Sequence, residues 1–122
     1  MPNSFIHVEL ATTSVPKAKA FYAKLFDWKL ADMPLPDGTY TLVEAGKGAG
    51  GGMMQQCIPG AGSAWMPYIL VKDIEAATRK AKKLRGKIMK DVTEVTGMGW
   101  LNIIVDPTGA VFGLWEPKAK RK

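Results

Sequence analysis

The chain has 122 residues, 47% of them hydrophobic and 23% charged, the balance of one folded domain and not of a disordered segment. One cysteine, Cys57, and one histidine, His7, exclude an internal disulfide, a cysteine-based zinc site and any centre needing two imidazoles from one chain. The net charge of +6 is uneven: residues 1–61 hold five bases against five acids, so the whole excess lies in residues 62–122.

Met1-Pro2-Asn3-Ser4 lacks the basic and apolar stretches of a signal peptide, and no apolar run approaches the roughly 20 residues of a membrane span. A cytoplasmic protein is expected. Phe5–Leu10 alternates and reads as a strand with Ile6, Val8 and Leu10 on one face. Ser14 is placed to cap a helix running to about Phe26, with Pro16 in its first turn and Val15, Ala18, Tyr22 and Leu25 as its buried stripe. Short strands are expected at Trp28–Leu30, Gly38–Glu44 and Gly50–Met54. Gly46–Gly51 spells a GxGxxG, but no amphipathic helix follows to offer its N-terminus to a phosphate. These glycines read as a hairpin.

Pro59–Ser63 is a turn-rich linker between a first module, residues 4–58, and a second, residues 64–117. Beyond it the same order recurs: a strand at Trp65–Val71, Asp73 as cap, a helix with stripe Ile74, Ala77, Ala81 and Leu84, and a stop at Arg85-Gly86. Strands at Lys87–Met89, Gly99–Val105 and Val111–Glu116 follow, the last two joined by the Asp106-Pro107-Thr108-Gly109 turn. The chain is βαβββ written twice, with a basic tail at 118–122. The lysines and arginines of 79–90 read as a solvated helix face. No aromatic residues interleave with them as nucleic-acid stacking platforms, which argues against a nucleic-acid partner.

This order resembles the vicinal oxygen chelate superfamily, the glyoxalase and bleomycin-resistance group. The resemblance is carried by His7-Val8-Glu9-Leu10, Lys17–Tyr22, Leu25–Trp28 and Gly51–Met54, then by Tyr68–Asp73, Asp106–Ala110 and Phe112–Pro117. It implies an α+β fold, two tandem βαβββ modules in a cupped, partly open barrel-like sheet around a ligand cavity, and a homodimer. It also implies metal ligands on the first and last strands of the modules, at His7, Met54, Met66 and Glu116 in this chain. Two of those four are thioethers, poor ligands for hard or borderline cations. The two-histidine, one-carboxylate set of the dioxygenases cannot form, so no cofactor is expected, and a divalent metal would rest on His7 and Glu116, with Glu9 in reach.

Three functions follow. The first is a small-molecule-binding protein whose Met- and Trp-rich pocket takes an apolar or aromatic ligand, lined by Glu9, Met54, Met66, Tyr68, Trp100, Asn102 and Leu114. The second is a lyase or isomerase acting beside a carbonyl, with His7 and Glu116 as acid and base. The third is an accessory subunit whose partner docks on the Lys-rich second half. Cys57, with no basic neighbour in sequence, reads as an inert thiol.

Overall fold

Ser14 and Asp73 both cap as expected. Each sits in extended backbone, and its side-chain oxygen accepts from the N–H three residues on, Lys17 at 3.4 Å and Ala76 at 3.0 Å. The helices that follow are α1 (Val15–Leu25) and α2 (Ile74–Lys83). After α2 the left-handed residue is Arg85, φ 73°, and not Gly86; the Gly86 N–H then reaches Ala81 O at 2.9 Å.

A computed structural model describes residues 3–36 and 38–118; of the expected basic tail, 119–122 lie outside the described residues. Eight strands form one sheet: β1 (Phe5–Thr12), β2 (Lys29–Leu35), β3 (Gly38–Glu44), β4 (Gly50–Gln55), β5 (Ala64–Leu70), β6 (Lys87–Val95), β7 (Gly99–Val105) and β8 (Val111–Pro117). Their order is β2-β3-β4-β1-β5-β8-β7-β6. Each module therefore supplies four adjacent strands, and the modules join where β1 runs antiparallel to β5. The outer strands β2 and β6 come into contact, so the sheet curls into a half-barrel. The α+β, two-module fold is as expected.

Strands β2 and β6 run beyond the Trp28–Leu30 and Lys87–Met89 expected from pattern alone. Asp32 and Pro34 read as breakers, yet Pro34 is tolerated because β2 is an edge strand and owes no N–H to a second neighbour. The Gly46-Lys47-Gly48-Ala49 segment makes the bend from β3 to β4, with positive φ at Gly46 and Gly48. Lys118 is anchored, not frayed: its Nζ lies 2.7 Å from Glu94 and 5.5 Å from the centre of the Trp100 ring.

The concave face packs Tyr40, Met54, Met66, Tyr68, Leu101 and Ile103 into one core. The convex face carries two smaller cores, Leu10, Val43 and Met53 beneath α1, and Ile104 and Leu114 with Ile74 of α2. The helix stripes are only partly buried. Leu25 and Leu84, expected inside, are 56% and 64% exposed because each falls at the last turn, past the sheet it was to cover.

Register decides which residues face the hollow. Glu9 lies opposite Gly52 in the parallel β1–β4 pair, and Tyr68 opposite Gly113 in β5–β8. Gly52 and Gly113 are thus counterparts 61 residues apart, whereas a Met54–Glu116 correspondence would need 62. A one-residue slip turns every side chain to the other face of a strand. The concave counterpart of Met54 is Trp115, and Glu116 points to the convex side. Both glycines are required there: a Cβ on Gly52 would run into the Tyr40 hydroxyl, and one on Gly113 into the Tyr68 ring.

Candidate functional site

The deepest polar cluster lies where β1 meets β5, with Tyr40 of β3 reaching in across Gly52 of β4. Glu9 of β1 is fully buried, and the Tyr68 hydroxyl donates to its Oε1 at 2.7 Å. Its Oε2 has no hydrogen-bond partner. Burial pushes the Glu9 carboxyl up to about 7, against the opposing pull of the Tyr68 and Tyr40 hydroxyls and the Lys90 charge. Burial and the adjoining carboxylate raise both tyrosines well above their ordinary value. Both remain neutral O–H groups.

His7, two residues earlier on the same face, hydrogen-bonds through Nε2 with the Tyr40 hydroxyl at 2.7 Å. Its ring sits among three aromatics: edge-on to Tyr68 at 5.6 Å, tilted to Tyr40 at 6.0 Å, and nearly parallel to Trp115 at 6.5 Å. Burial lowers its pKa to about 4, so near neutrality the imidazole is uncharged. A Cβ on Gly50 would stand 3.3 Å from its Nδ1. The glycine keeps that edge of the ring clear.

Next to His7 a hollow of about 300 Å³ opens between the modules, lined by Ile6, Tyr40, Leu42, Val95, Met98 and Trp115 together with the imidazole. A second hollow, about 380 Å³, lies at the opposite end of the trough, between Ala11, Met66, Ile103, Val111 and the linker. Between the two the trough is filled. Met54, Met66 and Tyr68 are core side chains there, and Met33, Met89 and Cys57 pack against them.

Of the residues expected to form one site, the structure brings together His7, Glu9, Met54, Met66 and Tyr68 on the concave face. It does not bring Trp100, Asn102, Leu114 or Glu116 to them. Those four lie on the convex side with α2. The Glu116 carboxylate accepts from Ile74 N at 2.9 Å, satisfying an N–H in the first turn of α2. Asn102 is a satisfied core residue, donating to Thr78 Oγ1 at 2.7 Å and accepting from Leu114 N at 3.1 Å. The expected His7–Glu116 pair is corrected to His7–Tyr40, with Glu9 behind it. Tyr40, Leu42, Val95, Met98 and Trp115 line the hollow without having been expected as site residues. Strand alternation separates Tyr40 and Leu42 from Thr41 and Val43, but it does not tell which set faces inward.

A divalent cation fits this donor set poorly. Glu116 is on the other face, Met54 and Met66 are buried thioethers, and His7 and Glu9 remain as a nitrogen and a carboxylate donor, with Glu44 lining the hollow but joining no three-ligand group among the described residues. No group of three or more His, Cys, Asp or Glu stands close enough to share an ion among the described residues. Two such ligands fall short of the sites these ions form.

A curled sheet built from two βαβββ units, with the His7–Tyr40 pair on its concave face, defines the architectural class. The profile of the Glyoxalase/Bleomycin resistance protein/Dioxygenase superfamily matches residues 4–114, and the chain belongs to this superfamily. Among relatives, it is 34% identical over 115 residues to "Putative glyoxylase CFP32" of Mycobacterium tuberculosis (strain CDC 1551 / Oshkosh), covering 89% of this chain and 44% of that protein. It is 24% identical to the anthracycline biosynthesis protein DnrV of Streptomyces peucetius, covering 88% of this chain and 45% of the relative. The chain thus spans less than half the length of these relatives. In fold it is similar to methylmalonyl-CoA epimerase from Mycobacterium tuberculosis, with TM-score 0.67, 17% identity, and coverage of 94% of this chain and 88% of the other. No helix among the described residues is long and apolar enough to cross a membrane.

Proposed function

We propose that the protein binds a small apolar or aromatic molecule in the hollow beside His7, without a metal centre. The observation that carries this reading is the lining itself: Ile6, Leu42, Val95, Met98 and Trp115 as walls, with the His7–Tyr40 pair and the Glu44 carboxylate as its polar groups. Pockets that hold small ligands have this makeup, apolar walls with a few placed polar groups, and start at about 300 Å³. Methionine adapts to irregular shapes, and the Trp115 ring offers stacking area. A neutral imidazole both donates and accepts, so it suits a phenol or a carbonyl.

The test is a titration with 2-naphthol and with 2-acetylnaphthalene, followed by tryptophan fluorescence in the presence of a chelator. Saturable one-to-one binding is expected, about tenfold weaker in Trp115→Ala and untouched by the chelator. Binding that vanishes with the chelator, or that ignores Trp115→Ala, overturns the reading.

The uncharged His7 favours a second reading, a lyase or isomerase acting beside a carbonyl. In it His7 is the proton carrier, and Glu9, through Tyr40, takes the place expected of Glu116. Turnover would then fall by about 10²-fold or more in His7→Gln and stay level in Glu116→Gln. Equal loss in both variants counts against it.

A further inference from the structure

The hollow beside His7 carries its charge in one place. Tyr40, Leu42 and Glu44 alternate along β3, so they share its concave face. The register across three strands then sets Glu44 and His7 in one row. Val43 pairs with Gly51 and His7 with Gly50, which puts Glu44 opposite Gly50 from the β3 side. Two strand spacings, roughly 10 Å, separate the strand bearing the carboxylate from the strand bearing the imidazole. Gly50 between them has no side chain, and a Cβ there would stand 3.3 Å from His7 Nδ1. The row is therefore a carboxylate, a gap and an imidazole edge, all bordering the hollow.

The surroundings decide what the gap can hold. Among the described residues, no lysine or arginine lines the hollow, and Glu44 is the only acid that does. Lys29 stands across from Glu44 on β2 but lines only the neighbouring groove, which Glu44 borders too. Lys90, whose charge reaches Glu9, does not line the hollow either. No hydrogen bond or ion pair among the described residues holds the Glu44 carboxylate. His7 Nε2 is engaged by Tyr40, and burial keeps the ring uncharged near neutrality, so it does not repel a cation. Trp115 and Tyr40 complete the wall with aromatic rings, whose faces attract cations. An anion seated there would meet a like charge at Glu44.

We propose that the ligand of this hollow is an aromatic amine carried as its ammonium ion, with its ring against Trp115 and its N–H donors over Gly50 toward Glu44. This rests on the small-molecule reading and names the substrate class of that same site. Glu44 selects by charge, where the apolar walls select by shape. The sign of the preference is opposite to that of the whole chain. At +6 the chain draws anions from solution, so a preference for a cation comes from local placement alone.

The experiment is isothermal titration calorimetry on the full chain near neutral pH, at low and at high salt, with a chelator present. Its probes are naphthalenes that differ in one substituent: 2-naphthylmethylammonium, 2-naphthalenemethanol and 2-naphthoate. At low salt the ammonium is expected to bind about tenfold tighter than the alcohol, and the carboxylate more weakly than either. High salt should narrow the first gap, because it screens the charge and not the ring contact. Glu44→Gln changes an exposed position and keeps its shape. It should cut the affinity for the ammonium about fivefold and leave that for the alcohol unchanged. Glu75→Gln removes the same charge from α2, on the convex side, and should leave every ratio as it was. An alcohol that binds as tightly as the ammonium overturns the inference and leaves the small-molecule reading standing. So does a preference that survives Glu44→Gln, or one that Glu75→Gln erodes equally. Carboxylate binding ahead of the ammonium overturns it too, since net charge would then govern the hollow. Binding of none of the probes overturns both readings.

Discussion

The two modules follow one plan and hold their helices differently. Helix α2 sinks Ile74 and Thr78 against the sheet and is tied to it by two side-chain bridges, Glu116 to Ile74 N and Asn102 to Thr78. Helix α1 has no buried residue; it rests on Leu10, Val43 and Met53 through Ala18 and Tyr22, and spreads its other aromatics outward. The residues account for the difference. Isoleucine, alanine and threonine on α2 are small enough to let the helix sit close. The bulky Phe21, Tyr22 and Phe26 rings of α1 and its C-cap pack among themselves instead, Tyr22 edge-on to Phe21 and nearly parallel to Phe26. One helix completes a core, and the other presents a surface.

The largest effect should come from the side chain that seats α2. Ile74→Ala removes a branched residue that is 2% exposed in the core shared with Ile104 and Leu114, and should cost about 2–5 kcal/mol by urea unfolding. A loss below about 1 kcal/mol would mean that α2 is no better seated than α1.

A similar magnitude is expected where the modules meet, at Glu9 of the first and Tyr68 of the second. The Glu9 carboxyl titrates at 4.5 in an unfolded chain and at about 7 here. Its contribution to stability is therefore fully present below pH 4.5 and lost as pH rises through 7, a cost of about 3 kcal/mol above that point. His7 runs the other way: titrating at 6.5 unfolded and about 4 folded, it contributes above pH 6.5 and loses that contribution as pH falls to 4. Between pH 4.5 and 6.5 the two slopes oppose each other. Glu9→Gln removes one of them, so the variant's stability should climb with pH over that window and exceed the wild type's by about 3 kcal/mol at pH 8. Urea midpoints at pH 4.5, 6.5 and 8 measure it; a variant less stable than wild type at pH 8 would show that the pull of Tyr68, Tyr40 and Lys90 on the carboxylate outweighs its burial.

Much of the fold is legible in the residues. Ser14 and Asp73 announce the helices, and the pattern repeated at a near-constant spacing gives the module count and the sheet. The site is less so, and the reason lies in β8. Val111–Pro117 carries bulky side chains on both faces, so alternation alone leaves two registers open, and the choice between Trp115 and Glu116 hangs on one residue. Gly113 resolves it only once Tyr68 is seen lying across it. For the same reason Asn102 and Trp100 read as pocket residues until Thr78, a polar residue inside a helix, supplies their side of the sheet with a partner. Glu9 shares its face of β1 with His7 and Ala11, as alternation requires, but its isolation from water depends on two tyrosines from other strands.

The bridges on the α2 side come next in size. Asn102→Ala strands the buried Leu114 N–H and the Thr78 hydroxyl's acceptor capacity, and should cost about 1–3 kcal/mol. Glu116→Ala leaves one N–H of the α2 first turn without its side-chain acceptor, a loss of about 1 kcal/mol. Neither should alter binding of 2-naphthol in the His7 hollow, because both residues lie across the sheet from it. A change in affinity with Glu116→Ala matching that with Trp115→Ala would place the carboxylate on the concave side after all.

The smallest effect separates the two helices most sharply. Leu25 of α1 is more than half exposed, so in a single chain Leu25→Ala should change stability by no more than about 0.5 kcal/mol. The family resemblance implies a homodimer, and if its copies meet on α1 that near-zero value holds only in dilute solution. Association stabilises the folded state in proportion to the logarithm of concentration, so the wild type's thermal midpoint should rise as the protein is concentrated while the variant's lags behind. The same comparison at Leu84, equally exposed at the end of α2, should give a gap that is small and independent of concentration. A concentration-dependent gap at Leu84 and none at Leu25 would assign the seated helix, and not the aromatic one, to the partner.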